Sequence, residues 1–332
     1  MKPLSRLLPT RGLLSQRWFI RSAVTAGIAL VLVTGGCAAL QHEERQLTFR
    51  ALRDAASWYS GLPQGVQEVS LPVASDEGNA HIDAWWWPAA NPSAPAVLYL
   101  HGARWNLTGQ VYRLQQLRDF GFSVFAIDYR GFGRSDGELP SEETVYQDAR
   151  SAWNWLAQRQ PDASKRFIYG HSLGGAVAID LAASLKSSQP AAGLIIESTF
   201  TSLADIAAEL SSHWLPFSLM LSQKFDSLAK MTQVSSPVLV VHGQGDRYVP
   251  YRFSQALYDA AKAPKKLLLV EGGSHNNSMF AGEEAYRQAL VDLFGLRPSD
   301  PDADEAGAPA TAARLSKSPR HASPRTRERV HG

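Results

Sequence analysis

A single serine lies between two glycines in the stretch GHSLG, residues 170–174, directly after the apolar run RFIY. A serine hydroxyl becomes a useful nucleophile when a base takes its proton and an acid holds that base in the correct tautomer. In a sharp turn between a strand and a helix, the glycines avoid collisions and the serine oxygen is exposed at the helix N-terminus. The pattern predicts a nucleophile at Ser172, and a plain turn serine is the alternative.

The base and the acid are expected after the serine in the chain. The apolar run PVLVVHG is followed by QGDRYVP, so Asp246 lies in a loop just past a predicted strand. The last apolar run leads into GGSHNN, so His275 lies in the equivalent loop. Serine, aspartate and then histidine is the chain order expected for a triad built on such a serine turn. We therefore predict Asp246 as the acid and His275 as the base.

Two other carboxylates, Asp128 and Glu197, also stand at the ends of apolar runs. Glu197 is the alternative acid, and loop hydrogen bonding is the other role open to both. Three further histidines lie beside glycines and are expected to hydrogen-bond to the backbone: His101, His171 and His242. For His275 the alternative to the base is a buried structural histidine.

The oxyanion of a tetrahedral intermediate needs backbone N–H donors. The N–H of Leu173, at the start of the predicted helix, is one candidate, and the second is expected from the loop HGAR after the run AVLYL. In that loop we choose Ala103 over Arg104. The sequence holds no HxxxH, CxxC, P-loop or dinucleotide motif, so we expect neither a metal nor a cofactor. The predicted chemistry is acyl transfer to Ser172 and then to water.

Short apolar runs alternate with helical patterns through the middle of the chain. The runs cover 96–102, 122–131, 166–170, 194–199, 237–243 and 265–272 and predict strands buried on both faces. Apolar spacings of three and four predict helices over 144–160, 175–188, 252–263 and 283–294. This alternation indicates an α/β fold, a parallel sheet with helices on both faces.

An antiparallel hairpin is predicted at the sheet edge from the runs 66–75 and 80–90, which have no helix between them. The second run contains Trp85, Trp86 and Trp87. Alternation on an edge strand predicts that these rings pack against the core, with ligand binding as the alternative.

The first 36 residues form a basic leader. They carry no acid and five basic residues, Lys2, Arg6, Arg11, Arg17 and Arg21, followed by the uncharged stretch SAVTAGIALVLVTGG and Cys37. This order is typical of a secretory signal, and the residues before Cys37, the only cysteine, resemble the lipobox of bacterial lipoproteins. The resemblance implies acylation of Cys37; an uncleaved signal anchor, or an ordinary helical cysteine, is the alternative. We expect export to the cell envelope and a membrane anchor, facing the periplasm or the outside.

The remaining composition divides the chain further. We predict a linker with a helical segment over 37–64, a catalytic domain over 65–297 with a small lid-like insertion at 198–236, and a disordered tail over 298–332. The insertion's apolar residues can line an acyl pocket or pack on the core. The formal net charge of +2 is too small to favour a nucleic-acid partner.

Taken together, the motifs HGARWN, DYRGFGRSDGE, GHSLGG, ESTFTSLADIA, HGQGDRYVP and GGSHNN resemble the α/β-hydrolase superfamily. Within it they resemble the cap-poor group that includes abhydrolase-domain lipid hydrolases and serine aminopeptidase-like or lysophospholipase-like proteins. The resemblance implies a mostly parallel eight-stranded sheet, the triad Ser172, Asp246 and His275, and an oxyanion hole from Leu173 and Ala103. It also implies hydrolysis of an ester or thioester of a small or lipid-like acyl group. A peptidase or amidase, and a non-catalytic binding protein, are the alternatives.

Overall fold

An eight-stranded sheet forms the centre of the protein. The computed structural model describes residues 36–75, 78–186, 190–209 and 221–296. The predicted tail therefore lies outside the described residues, as does the predicted leader except for Gly36. The strands are β1 (Gln67–Ser75), β2 (Gly78–Trp87), β3 (Ala96–Leu100), β4 (Ser123–Ile127), β5 (Arg166–His171), β6 (Gly193–Glu197), β7 (Val238–Gly243) and β8 (Lys265–Val270).

The spatial order of the strands is β1-β2-β4-β3-β5-β6-β7-β8. β2 pairs antiparallel with both β1 and β4, and all other neighbours pair in parallel. The prediction of a mostly parallel sheet with an antiparallel hairpin at one edge is confirmed. Because parallel strands end at the same edge, the loops after β3, β5, β6, β7 and β8 lie side by side.

Helices cover both faces of the sheet. They are α1 (36–49), α2 (Val111–Asp119), α3 (Glu142–Arg159), α4 (Leu173–Ser184), α5 (Leu203–Glu209), α6 (Ser227–Met231), α7 (Arg252–Ala260), α8 (Ser278–Ala281) and α9 (Glu283–Phe294). Buried side chains of α3, α4, α6 and α7 form one core cluster with the sheet. Those of α2, α8 and α9 form a second cluster on the opposite face.

The three consecutive tryptophans of β2 pack into the core, as their alternation predicts. Trp86 belongs to the first cluster, while Trp85 and Trp87 belong to the second. All three are buried. Successive side chains of a strand point to opposite faces, so one short run fills both sides of the sheet edge.

Helix α2 is absent from the sequence-based prediction. Its segment, VYRLQQLRD, has few apolar residues, and one of its three buried side chains is Arg113. A charged residue on the inward face hides the apolar periodicity by which an amphipathic helix is recognised. The short helices α5, α6 and α8 are likewise absent from the prediction. Helix α4 begins at Leu173, two residues earlier than predicted, because the serine turn leads directly into it.

The segment after the predicted leader docks on the sheet domain through α1. Phe49, at the end of α1, is fully buried and packs edge-on against Phe225. The Glu44 carboxylate accepts hydrogen bonds from the backbone N–H of Ser222 and of Gln223, at 2.9 and 2.8 Å. These contacts fix α1 against the end of the predicted lid-like insertion.

The predicted insertion is described only in part. It contains α5 and α6. Of the residues on which the lid interpretation rests, 213–217 and 219–221, only Leu221 is among the described residues, and it packs, partly buried, against the first core cluster. Over the part of the chain that the structure describes, no helix has the length and apolarity needed to cross a bilayer.

Candidate active site

Ser172 occupies a sharp turn between β5 and α4. Its backbone has φ 54° and ψ −121°, in the left-handed region that a residue with a side chain rarely adopts. The two flanking glycines are required, because a Cβ on Gly170 would overlap the backbone of Gly174 and a Cβ on Gly174 would overlap the carbonyl oxygen of Leu100. The turn therefore has the strained geometry that the GHSLG pattern predicts.

The structure brings the three residues of the predicted triad together. The Nε2 atom of His275 lies 3.1 Å from the Oγ atom of Ser172. Its Nδ1 atom lies 2.7 Å from Oδ2 of Asp246. With a proton on Nδ1 donated to the carboxylate, Nε2 is free to accept the serine proton.

Four donors surround the carboxylate of Asp246. Oδ1 accepts the backbone N–H groups of Tyr248 and Val249 at 2.8 and 3.0 Å. Oδ2 faces His275 and also Nε2 of His242, at 3.1 Å. Burial by itself raises the pKa of Asp246, but the hydrogen bonds from His242, His275 and Val249 outweigh it and lower this pKa well below its usual range. The carboxyl group is therefore held as the anion.

His101, His171 and His242 all hydrogen-bond to the backbone, as predicted. Their acceptors are the carbonyl oxygens of Gly102 for His101, His275 for His171 and Val249 for His242, at 2.7, 2.7 and 2.8 Å. Sequence reasoning missed the second role of His242, its contact with the carboxylate of Asp246. The available signal was its position at the end of β7, four residues before that aspartate.

Neither of the other two carboxylates, Asp128 and Glu197, is a partner of His275, whose Nδ1 faces Asp246. The carboxylate of Glu197 is fully buried, 2.7 Å from Nη1 of Arg113 and 2.7 Å from the hydroxyl of Tyr169. Oδ1 of Asp128 accepts the backbone N–H of Leu107 at 2.9 Å. Glu197 is therefore a partner of a buried arginine, and Asp128 holds a loop.

Two backbone N–H groups lie free beside the serine turn. The N–H of Arg104 donates to the carbonyl oxygen of Phe49 at 2.8 Å, whereas that of Ala103 has no acceptor within the described residues. The N–H of Leu173 begins α4, where the first groups of a helix have no intrahelical partner. A Cβ on Gly102 would lie 3.1 Å from Cβ of Ser172, so the two segments touch. These N–H groups are the pair that can face an oxyanion.

The arrangement can carry out nucleophilic attack, proton transfer and oxyanion stabilisation with protein groups alone. Among the described residues, no three His, Cys, Asp or Glu side chains are grouped so that they could hold a metal ion.

The buried imidazole of His171 should make folding stability depend on pH. Burial, and next the charge of Arg113, lower the pKa of His171 well below its ordinary value of 6.5. The folded protein keeps this ring neutral, while the unfolded chain takes up a proton below about pH 6.5. This contribution to stability is fully present above that pH and is lost as the pH falls.

The matched variant is His171→Gln, which keeps an N–H donor near the position of Nε2 but cannot be protonated. We expect the free energy of unfolding of the wild type to fall relative to this variant, by up to about 1.4 kcal/mol per pH unit below about pH 6.5. Urea denaturation at several pH values measures the difference. Parallel stability curves would contradict a neutral, buried His171.

Comparison with known proteins gives several matches. A family model described as serine aminopeptidase, S33, matches residues 91–228, and one described as TAP-like protein matches residues 213–307. An uncharacterized protein of Mycobacterium tuberculosis is 33% identical over 260 residues, which cover 77% of this chain and 89% of that protein. The lysophosphatidylserine lipase ABHD12 of Danio rerio is 33% identical over 213 residues, which cover 58% of this chain and 53% of that protein.

Among solved structures, the esterase Pf2001 of Pyrococcus furiosus matches with a TM-score of 0.59 and 17% sequence identity. The match covers 76% of this chain and 99% of that chain. At this level of identity it shows a shared fold. The sheet, the sequence relatives and the family models agree, and the chain belongs to the α/β-hydrolase superfamily as a hydrolase of that type.

Proposed function

We propose that the protein is a serine hydrolase that cleaves carboxylic ester or thioester bonds through an acyl-enzyme. The observation that carries the proposal is the distance of 3.1 Å between Oγ of Ser172, on its strained turn, and Nε2 of His275. This is within the range expected of a nucleophile and its base. A serine with only a turn role has no need of such a partner.

The reaction follows from these positions. His275 takes the proton of Ser172 at Nε2 as Oγ attacks the acyl carbon, and the N–H groups of Leu173 and Ala103 donate to the oxyanion. The tetrahedral intermediate then collapses, His275 gives its proton to the leaving alcohol or thiol, and the acyl group stays on Ser172. Water, with His275 again as base, releases the acid and restores the serine.

Asp246 keeps His275 ready for each of these steps. As a carboxylate it accepts the Nδ1 proton, which fixes the tautomer and leaves Nε2 unprotonated. When Nε2 takes the serine proton, the same negative charge stabilises the imidazolium. The lowered pKa of Asp246 suits this role, because the carboxyl group remains ionised beside the cation.

An apolar acyl group is the proposed part of the substrate. Tyr248 is largely exposed, and its ring centre lies 5.5 Å from that of His275. An exposed aromatic ring beside the candidate base favours a lipid-like or other apolar acyl chain. The name of the Danio rerio relative, a lysophosphatidylserine lipase, supports the same class.

We also propose that Cys37 anchors the protein to a membrane after export. The cysteine is exposed at the beginning of α1, and α1 packs on the sheet domain through Phe49. A helix rises about 1.5 Å per residue, so Cys37 lies about 18 Å along α1 from Phe49, whose carbonyl oxygen accepts the N–H of Arg104 beside Ala103. Acylation would therefore hold the candidate site near the lipid surface.

Activity-based labelling tests the nucleophile. We expect a fluorophosphonate probe to label the wild type but not Ser172→Ala, and we expect this variant to lose at least about a thousandfold in kcat. The control is Ser164→Ala, an exposed serine just before the opposite end of β5, which should label like the wild type. Equal labelling of wild type and Ser172→Ala would exclude Ser172 as the nucleophile.

Substrate comparison decides between ester and amide hydrolysis, since the family description names an aminopeptidase. We expect kcat/KM for acyl esters and acyl thioesters to exceed kcat/KM for aminoacyl amides whose leaving groups match in size and shape. For the esters and thioesters we also expect kcat/KM to rise with acyl chain length. The exposed ring of Tyr248 beside His275 is the reason. A higher kcat/KM for the amides would support the peptidase alternative. Labelling of Ser172 without turnover of any of these substrates would support a non-catalytic binding protein.

Mass spectrometry of the N-terminal peptide tests the anchor. We expect a cleaved leader with an acylated Cys37, and we expect Cys37→Ser to move the protein from the membrane fraction to the soluble fraction. The activity of the Cys37→Ser protein on a soluble ester should be unchanged. An intact leader with a free thiol would favour the signal anchor.

A further inference from the structure

A fully buried arginine lies beneath the candidate site. Arg113, on α2, has no exposed surface, and its Nη1 atom lies 2.7 Å from Oε1 of Glu197, at the end of β6, whose side chain is also unexposed. Removing two charges from water carries a large desolvation penalty, and apolar replacements of such pairs are often neutral or stabilising. Stability alone therefore does not account for this pair.

The guanidinium connects Glu197 to the backbone of the histidine loop. Nη2 of Arg113 donates to the carbonyl oxygen of Asn276, the residue directly after His275, at 3.1 Å. The hydroxyl of Tyr112 donates to the same oxygen, also at 3.1 Å. Two side chains of α2 thus hold one peptide of the loop that carries the candidate base.

The peptide between His275 and Asn276 is also held by a side chain, that of His171. Nε2 of His171 lies 2.7 Å from the carbonyl oxygen of His275. A carbonyl oxygen only accepts, so His171 carries its proton on Nε2. Burial and the charge of Arg113 keep the pKa of His171 low, which preserves this neutral donor. Arg113 therefore holds the loop of His275 directly and also favours the neutral form of His171, which holds the same loop.

We propose that Arg113 is a positioning residue for hydrolysis: oriented by Glu197, its guanidinium holds the carbonyl group of Asn276, the residue after His275, so that the imidazole stays aligned between Ser172 and Asp246. The inference rests on the proposed function, in which His275 is the base. It assigns the buried charge pair a role in the reaction that neither the triad nor the oxyanion donors include.

The role depends on the shape of the guanidinium as well as on its charge. Nη1 serves Glu197 and the hydroxyl of Tyr169, at 2.7 and 3.0 Å, while Nη2 serves Asn276. A lysine offers one nitrogen, which cannot occupy both positions. Arg113→Lys therefore keeps a cation for Glu197 and releases the loop.

The first test compares Arg113→Lys with Arg118→Lys, an arginine of the same helix that donates to the carbonyl oxygen of Pro88 at 3.0 Å, outside the site. We expect Arg113→Lys to lower kcat for a soluble ester about 10- to 100-fold while KM changes less than about twofold, since misalignment weakens the transition state and not substrate binding. Arg118→Lys should keep the wild-type kcat. Equal kcat values in wild type and Arg113→Lys would overturn the proposal, as would an equal loss in Arg118→Lys.

A second variant, Tyr112→Phe, is expected to fold normally, because Tyr112 is 45% exposed and the change removes only its hydroxyl. We expect a smaller fall in kcat, about two- to fivefold, at an unchanged urea midpoint. In the double variant with Arg113→Lys the two losses should not add in free energy, because both groups hold the oxygen of Asn276. If Arg113→Lys does not fold, Tyr112→Phe decides the matter, and an unchanged kcat there overturns the proposal.

A spectroscopic readout separates this inference from the proposed function. The proton between Nδ1 of His275 and Asp246 should give a downfield ¹H resonance, assigned by its loss in His275→Gln. We expect Arg113→Lys to shift or broaden this resonance and Arg118→Lys to leave it in place, whether or not a substrate is turned over. An unlabelled, inactive wild type would reject the hydrolase alone, whereas an unmoved resonance in Arg113→Lys would reject the positioning role.

Discussion

The left-handed backbone at Ser172 is the constraint on which the rest of the site depends. A residue with a side chain keeps such a conformation only if its surroundings offset about 1–3 kcal/mol of strain. The end of β6 provides this support: the N–H of Ser172 donates to the carbonyl oxygen of Glu197 at 2.9 Å, and the hydroxyl of Thr199 donates to the carbonyl oxygen of Ser172 at 2.8 Å. The serine oxygen is thus presented at the helix N-terminus by hydrogen bonds from the neighbouring strand.

Glu197 links this support to the candidate base. Its backbone holds the serine turn, while its side chain orients Arg113, which reaches the loop of His275. On the other side of the imidazole, the carboxylate of Asp246 is fixed by four donors. The imidazole lies between an anchored anion and an anchored backbone, so little reorganisation is needed when charge develops during the reaction.

The segment after the predicted leader also contributes to the site. The carbonyl oxygen of Phe49 takes the N–H of Arg104, and the carbonyl oxygen of Arg104 accepts the N–H of Leu52 at 3.2 Å. Asn106 donates to the carbonyl oxygens of Leu52 and Asp54. The loop of the proposed oxyanion hole is therefore held from outside the sheet, by the chain that leads back to Cys37.

The sequence by itself determined the strands of the parallel sheet, the serine turn and the order of Ser172, Asp246 and His275, because apolar runs, flanking glycines and chain order are local features. It did not reveal α2, since its inward Arg113 interrupts the apolar pattern, and it left Glu197 open as an acid. Only the tertiary structure decided that Arg113 and Glu197, 84 positions apart, form a buried ion pair beneath the site. A buried charge has meaning only with its partner, and partners distant in sequence are chosen by how the sheet and its helices pack.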